Sequence, residues 1–286
     1  MIEAWHALVG SLPFSWAAYD FMKNALLAVI VVTPFFGLAG TVVAGNRMAF
    51  FSDAVGHSAL TGIALGLIAG FTDMRLPMVV FAVLFALAIN LLIEKSRASN
   101  DTVIAVFMSF AVALGIALLS AAGSFRKFSV YLVGDILAVG PGDIAGLALV
   151  SAAVLVFFFF FGGAITLIGM EPGLAYRSRL SPLMVRTLFS ALVSVTVVLS
   201  IQWMGLLIVN SLFILPAAAA RLVSRTLRGY SFAAMGISLF SGISGLLISY
   251  YAGASCGAVI VLCAAFIYAA ILAAKGVAGI MARNDY

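Results

Sequence analysis

Charged residues are scarce in this sequence, and their scarcity excludes a soluble globular protein. Only 9% of the 286 residues are Asp, Glu, Lys or Arg, whereas soluble domains carry about a quarter. Apolar residues make up 65% of the chain, and the mean hydropathy is +1.24. A chain with so little polar surface belongs in lipid, so the sequence predicts an all-α polytopic membrane protein.

Cysteine and histidine are also rare, with two of each. Cys256 and Cys263 lie in or beside one apolar segment, so we expect packing residues and neither a disulfide framework nor a thiolate zinc site. The sequence contains no G-x-x-x-x-G-K-[ST] loop and no H-E-x-x-H motif. We therefore expect neither ATP hydrolysis by a P-loop nor zinc proteolysis, and no enzyme activity in this chain.

The net charge of +5 reflects membrane topology and predicts no nucleic-acid partner. Basic residues gather in the loops between apolar segments, as they do on the cytoplasmic side of membrane proteins. With the N-terminus outside and nine spans, most Lys and Arg lie in inner loops. Lys23, Arg75, Arg126 and Lys127 remain outside.

Apolar segments long enough to cross a bilayer predict a helical bundle of eight or nine spans. The nine expected spans are residues 21–43, 54–70, 76–93, 102–122, 144–168, 184–201, 206–219, 232–251 and 258–274. They form one transmembrane domain at 21–275, between an interfacial N-terminal tail at 1–20 and a cytoplasmic tail at 276–286. Residues 131–139 are too short to span, so we expect a surface or re-entrant helix there.

Local signals refine some of these elements. Pro34 predicts a kink in the first span, and Asn100 or Asp101 is a candidate N-cap of the fourth. Trp5, Phe14 and Trp16 are expected at the headgroup level, since aromatic residues favour membrane interfaces.

Asp53 and His57 are the candidate functional pair. They are four residues apart, so on a helix both leave the same face, and Thr61 extends that face by one turn. Asp53 alone suits an N-cap, and His57 alone suits a buried core histidine. Together, at or inside a membrane span, they favour metal or proton handling. A carboxylate and an imidazole suit zinc, manganese or iron(II).

A stripe of small residues follows the neighbouring face of the same helix, and another backbone can approach it closely. The stripe consists of Ala54, Ser58, Gly62, Gly66 and Gly70. One Asp and one His are too few for a four-coordinate site. A second copy meeting this one about a two-fold axis beside the stripe would supply the missing ligands. The predicted topology places the pair toward the inner half of its helix.

Other polar residues in the spans are weaker candidates. Asn210 and Ser211, with Thr61, are candidate path-lining residues, and Gln202 is another. For these amides and hydroxyls, hydrogen bonding between helices is the favoured interpretation.

Four stretches together resemble the permease subunits of bacterial zinc/manganese ABC importers, the ABC-3 family. They are RMAFFSDAVGHSALTG at 47–62, LVGDILAV at 132–139, GLLIVNSLFILPAAAARL at 205–222, and SYY followed by SCGA at 249–258. Cys256 stands where the family pattern leads us to expect serine. The resemblance covers most of the chain after Met22 and implies about eight spans.

The resemblance implies a homodimeric permease in the bacterial inner membrane, with a pair of cytoplasmic ATP-binding subunits and an external solute-binding protein. The cargo would be a divalent transition metal, zinc or manganese or iron, with no permanently bound cofactor. Asp53 and His57 would handle the metal in an alternating-access cycle. The basic connection would contact the ATP-binding subunit through Ala220, Arg221, Leu222, Ser224, Arg225 and Arg228.

Two alternatives remain open from the sequence. One is an importer for a chelated metal, in which the pair is structural. The other is a proton-coupled transporter or channel that uses Asp53 and His57 as a proton relay. A purely structural membrane scaffold ranks behind both. The sequence does not distinguish zinc from manganese or iron.

Overall fold

The described part of the chain is mostly helical and contains no strand. A computed structural model describes residues 2–96, 98–123, 136–170 and 181–284. Its helices are α1 (Ile2–Gly10), α2 (Asp20–Gly45), α3 (Phe51–Ile68), α4 (Arg75–Lys95), α5 (Asn100–Ala121), α6 (Pro141–Met170), α7 (Pro182–Met204), α8 (Leu206–Val223), α9 (Leu227–Ala252) and α10 (Cys256–Asn284), with 3-10 turns at Ser15–Ala18 and Ile136–Ala138. By length and composition, α2 to α10 could each cross a membrane. Within the described ranges this confirms the all-α polytopic fold and nine spans, one more than the resemblance implies.

Helix ends follow local side-chain chemistry. Ser99, and neither Asn100 nor Asp101, caps α5, because its hydroxyl accepts a hydrogen bond from the Thr102 amide at 3.2 Å. Both predicted caps lie inside the first turn of the helix. The backbone of α2 is helical through Pro34.

A single residue separates α7 from α8, where the sequence predicts a turn over 202–205. Gly205 has φ +80° and ψ 158°, a conformation that glycine adopts without a Cβ clash. The α7 helix therefore continues through Gln202 and Trp203, and the direction of the chain changes only at the glycine. The predicted surface or re-entrant helix lies mostly outside the described residues, which resume at Ile136.

Contacts divide the chain into two compact units. One contains Met1–Thr41, Ile136–Gly146 and Ser211–Tyr286, and the other contains Val42–Asp135 and Leu147–Asn210. In the first unit, helices meet at glycines. A Cβ on Gly37 would lie 2.5 Å from the Ala234 carbonyl oxygen, and one on Gly245 would lie 2.5 Å from Ile260 Cα. These distances show that the backbones of α2 and α9 are in direct contact at Gly37, and those of α9 and α10 at Gly245.

The N-terminal segment packs on the start of α2. The Trp5 indole donates to the Lys23 carbonyl at 2.9 Å, and His6 Nε2 lies 2.8 Å from Asn24 Oδ1. Trp16 is buried at 6% exposed, whereas Phe14 is 52% exposed; their expected level at the headgroups stays a prediction. At the other end of the chain, α10 continues to Asn284, past the expected start of the tail.

In the second unit, α3 packs against α4, α5 and α7. A Cβ on Gly62 would lie 2.9 Å from Met78 Cα, and one on Gly66 would lie 2.7 Å from Pro77 Cβ. The small-residue stripe therefore admits another backbone, as predicted, but that backbone is α4 of the same chain. Gly62 and Gly66 are consequently unavailable to a second copy.

Candidate functional site

Asp53 is the third residue of α3 and not its N-cap. The helix begins at Phe51, and Phe50 occupies the cap position without a side-chain hydrogen bond. The Asp53 carboxylate instead turns toward other side chains. The N-cap interpretation of this residue is therefore wrong.

The carboxylate of Asp53 contacts two polar side chains through one oxygen. His57 Nε2 lies 3.5 Å from Asp53 Oδ1, and Asn210 Nδ2 donates a hydrogen bond of 2.5 Å to the same oxygen. The side chains of Asp53 and His57 are 29% and 32% exposed. The predicted pair is thus close together and accessible, and Asn210 joins it from α8.

Gly56, between the two members of the pair, lets α3 approach the junction of α7 and α8. A Cβ there would overlap the Leu206 side chain and lie 3.0 Å from Ile201 Cδ1. Six residues later, a Cβ on Gly62 would meet Met78 on α4. Gly56 and Gly62 lie on different faces of α3, so one face packs against the junction of α7 and α8 and another packs against α4.

The contact between Asp53 and Asn210 joins the starts of two helices. Simple alternation of nine spans would place the starts of α3 and α8 on opposite faces of the membrane. Asp53, near the start of α3, nevertheless bonds to Asn210, near the start of α8. The predicted position of the pair in the inner half of its helix stays a prediction.

Thr61 and Ser211 are placed differently from the pair. Thr61 is fully buried, and its hydroxyl donates to the Ala111 carbonyl on α5 at 2.5 Å. This bond ties α3 to α5, as the interhelical interpretation predicts. Ser211 follows Asn210 on α8 and is half-buried. A path-lining role for either residue stays a prediction.

Gln202 also fits the interhelical interpretation. Its amide nitrogen lies 3.6 Å from Met78 Sδ, which joins α7 to α4. Asn210 fits it too, but its partner is Asp53 itself. Sequence spacing could not reveal that contact, because 157 residues separate the two side chains.

The site offers two ionisable ligands from one chain. Among the described residues, no group of three or more His, Cys, Asp or Glu is placed to hold a metal ion. A carboxylate oxygen and an imidazole nitrogen can bind a divalent transition metal but do not complete its coordination. Such a pair is suited to transient binding, in which the ion takes further donors from elsewhere.

The basic connection between α8 and α9 forms an exposed surface. Arg221, Arg225 and Arg228 are exposed, and Leu222 and Ser224 are half-buried. Ala220 is fully buried, and the contact of this set with an ATP-binding subunit stays a prediction. Thr226 caps α9 by accepting from the Gly229 amide at 3.1 Å, which fixes where the exposed turn ends.

Comparison with known proteins gives the site a family context. A zinc uptake system membrane protein of Haemophilus influenzae, ZnuB, is 29% identical over 254 residues, covering 87% of this chain and 96% of that protein. A manganese transport system membrane protein of Listeria monocytogenes, MntC, is 28% identical over 250 residues, covering 87% and 89%. The solved structure of PsaBC from Streptococcus pneumoniae in complex with Fab is 28% identical, with a TM-score of 0.75 and 95% of each chain covered.

The family profile extends over nearly the whole chain. The ABC 3 transport family matches residues 18–275, which include every candidate site residue and the nine candidate spans found among the described residues, up to Lys275. This multi-pass membrane protein therefore belongs to the ABC 3 transport family.

Proposed function

We propose that this chain is the membrane-spanning permease of an ATP-driven importer for a divalent transition metal. The observation that carries the proposal is the accessible Asp53–His57 pair, with 3.5 Å between carboxylate oxygen and imidazole nitrogen. Relatives named for zinc and for manganese transport support the same cargo class. The pair would offset part of the ion's dehydration without trapping it.

ATP hydrolysis would come from separate cytoplasmic subunits, because the sequence has no P-loop. The exposed arginines after α8 are suited to an acidic face on such a subunit. An external solute-binding protein would deliver the ion, and alternating access would carry it inward.

Two copies of the permease would supply two Asp and two His to one path. This arrangement would complete a coordination shell that one chain leaves incomplete. Since α4 already covers Gly62 and Gly66, the second copy would have to meet this one through another surface.

The experiment that tests the function uses the complete transporter in proteoliposomes. Permease, ATP-binding subunit and binding protein are reconstituted, and accumulation of Mn²⁺, Zn²⁺ and Fe²⁺ is measured with ATP or a non-hydrolysable analogue. We expect accumulation of at least one metal that requires hydrolysis. Metal entry without the ATP-binding subunit would instead support a proton-coupled transporter or channel, and transport of a metal only as its chelate would support a chelate importer.

Charge reversal in the α8–α9 connection is expected to weaken binding of the ATP-binding subunit and so to reduce transport. In the double variant Arg225→Glu with Arg228→Glu, two exposed cations become anions, so attraction to an acidic partner turns into repulsion. We expect the ATP-binding subunit to be lost on purification through a tagged permease, and uptake to fall about tenfold or more. Lys275→Glu, an exposed charge reversal on α10, is the matched control and should retain the subunit. Equal retention by both would contradict the assignment of this surface.

A further inference from the structure

Asn210 has a second polar atom that the hydrogen bond to Asp53 does not use. Its amide nitrogen donates to Asp53 Oδ1, while its own Oδ1 is buried and has no hydrogen-bond partner among the described residues. Buried acceptors in proteins are nearly always satisfied, so an unpaired one needs an explanation, and a bound ion or water is one such explanation. This acceptor lies on the side chain that already touches the candidate metal pair.

The chemistry of the contact fixes which end of the amide is free. An ionised carboxylate can only accept hydrogen bonds, so the NH₂ group of Asn210 must face Asp53. The amide carbonyl oxygen is then left for another positive partner. Asp53 in turn keeps Oδ2 clear of both contacts, because His57 and Asn210 approach Oδ1. The Asn210 carbonyl, the Asp53 carboxylate and the His57 imidazole thus belong to one cluster joined through Asp53 Oδ1.

We propose that Asn210 is the third metal-binding side chain of this path and sets its preference for manganese over zinc. The inference rests on the proposed function and goes beyond it by selecting among the metals. Carboxylate and carbonyl oxygens suit harder ions such as Mn²⁺, whereas imidazole-rich and thiolate-rich sets suit Zn²⁺. The amide carbonyl changes the set from one oxygen and one nitrogen to two oxygens and one nitrogen.

The hydrogen bond gives Asn210 a positioning role as well. By holding Asp53 Oδ1, the amide favours binding of metal through Oδ2 alone. A carboxylate that binds through one oxygen and a neutral carbonyl hold an ion less tightly than two carboxylates would. This is consistent with a path that must release its cargo.

The test measures the ratio of kcat/KM for Mn²⁺ to that for Zn²⁺ in the reconstituted importer. We expect the wild type to favour manganese and Asn210→Leu, which keeps the approximate volume but removes both polar atoms, to lower the ratio about tenfold. Asn210→Asp keeps an oxygen atom that can bind the metal and should retain the preference for manganese. Asn24→Leu makes the same amide-to-leucine change on α2, where the amide lies beside His6 in the other unit, and should leave the ratio unchanged.

Each outcome distinguishes this inference from the proposed function. If Asp53→Ala abolishes uptake of both metals but Asn210→Leu lowers both equally or leaves the ratio unchanged, Asn210 is not a metal ligand. A wild-type preference for zinc would overturn the proposal too. If Asp53→Ala transports both metals normally, the proposed function of the pair itself fails. Zinc uptake retained by Asn210→Leu shows that the variant is folded.

Discussion

Replacing His57 or Asp53 is expected to reduce metal accumulation about 100-fold or more, since even residues that only support metal ligands contribute 10–100-fold. His57→Ala removes the imidazole without disturbing the Asp53–Asn210 hydrogen bond. Asp53→Asn keeps the shape of the side chain but removes the charge that attracts the ion. Accumulation is measured by elemental analysis of cells that carry the complete importer.

The chain supplies a matched control for each of these changes. His6→Ala alters the other histidine, which lies in the N-terminal segment beside Asn24 and Asp20. Asp73→Asn alters a carboxylate in an exposed turn, where it accepts from the Arg75 amide. Both controls should accumulate metal normally. The abundance of every variant in the membrane is measured in parallel, so that loss of protein is separated from loss of transport.

A double variant tests whether the two side chains act as one site. If Asp53 and His57 bind the same ion, removing the second after the first should cost little more, because residues that act as a unit are strongly non-additive. Two independent, multiplying defects would indicate separate roles along the path. Normal accumulation by both single variants would refute the site altogether.

The sequence predicts the membrane fold well because its signals are local. Length and apolar composition are enough to place each span, and most boundaries fall within a few residues of those observed. The pair Asp53–His57 is likewise local, since helical spacing alone puts both side chains on one face. Even the close approach at Gly62 and Gly66 follows from the absence of side chains there.

What the sequence could not predict depends on distant parts of the chain. Nothing near Asp53 indicates that Asn210 binds it, nor that α4 of the same chain, rather than a second copy, covers the stripe. The choice of Ser99 over its neighbours as cap depended on backbone geometry at a single turn.

Gly40→Ala is expected to be the most damaging single-methyl addition in the first unit. A Cβ at this position would overlap the Phe213 carbonyl oxygen and lie 2.9 Å from its carbonyl carbon. Backbone atoms cannot swing aside as a flexible side chain can, so α2 and α8 would have to separate. Such overpacking typically costs about 1–3 kcal/mol and occasionally more. The buried Phe36 and Phe213 rings, 4.9 Å apart, would lose contact as well.

The measurement is the midpoint temperature of thermal unfolding of the detergent-solubilised protein. Unfolding is monitored as the loss of its monodisperse size-exclusion peak. Gly45→Ala, at the end of the same helix, is the control, because a Cβ there meets nothing within 4 Å and alanine favours the helix. We expect Gly40→Ala to lower the midpoint by several degrees or to prevent folding, and Gly45→Ala to leave it unchanged or slightly raised. Equal midpoints for the two variants would mean that α2 and α8 do not pack backbone to backbone at Gly40. Gly40 and the Asp53–His57 pair lie in different units. A loss of transport by Gly40→Ala that accompanies a lowered midpoint would therefore be a folding defect of the first unit, and not a change in the metal-binding pair.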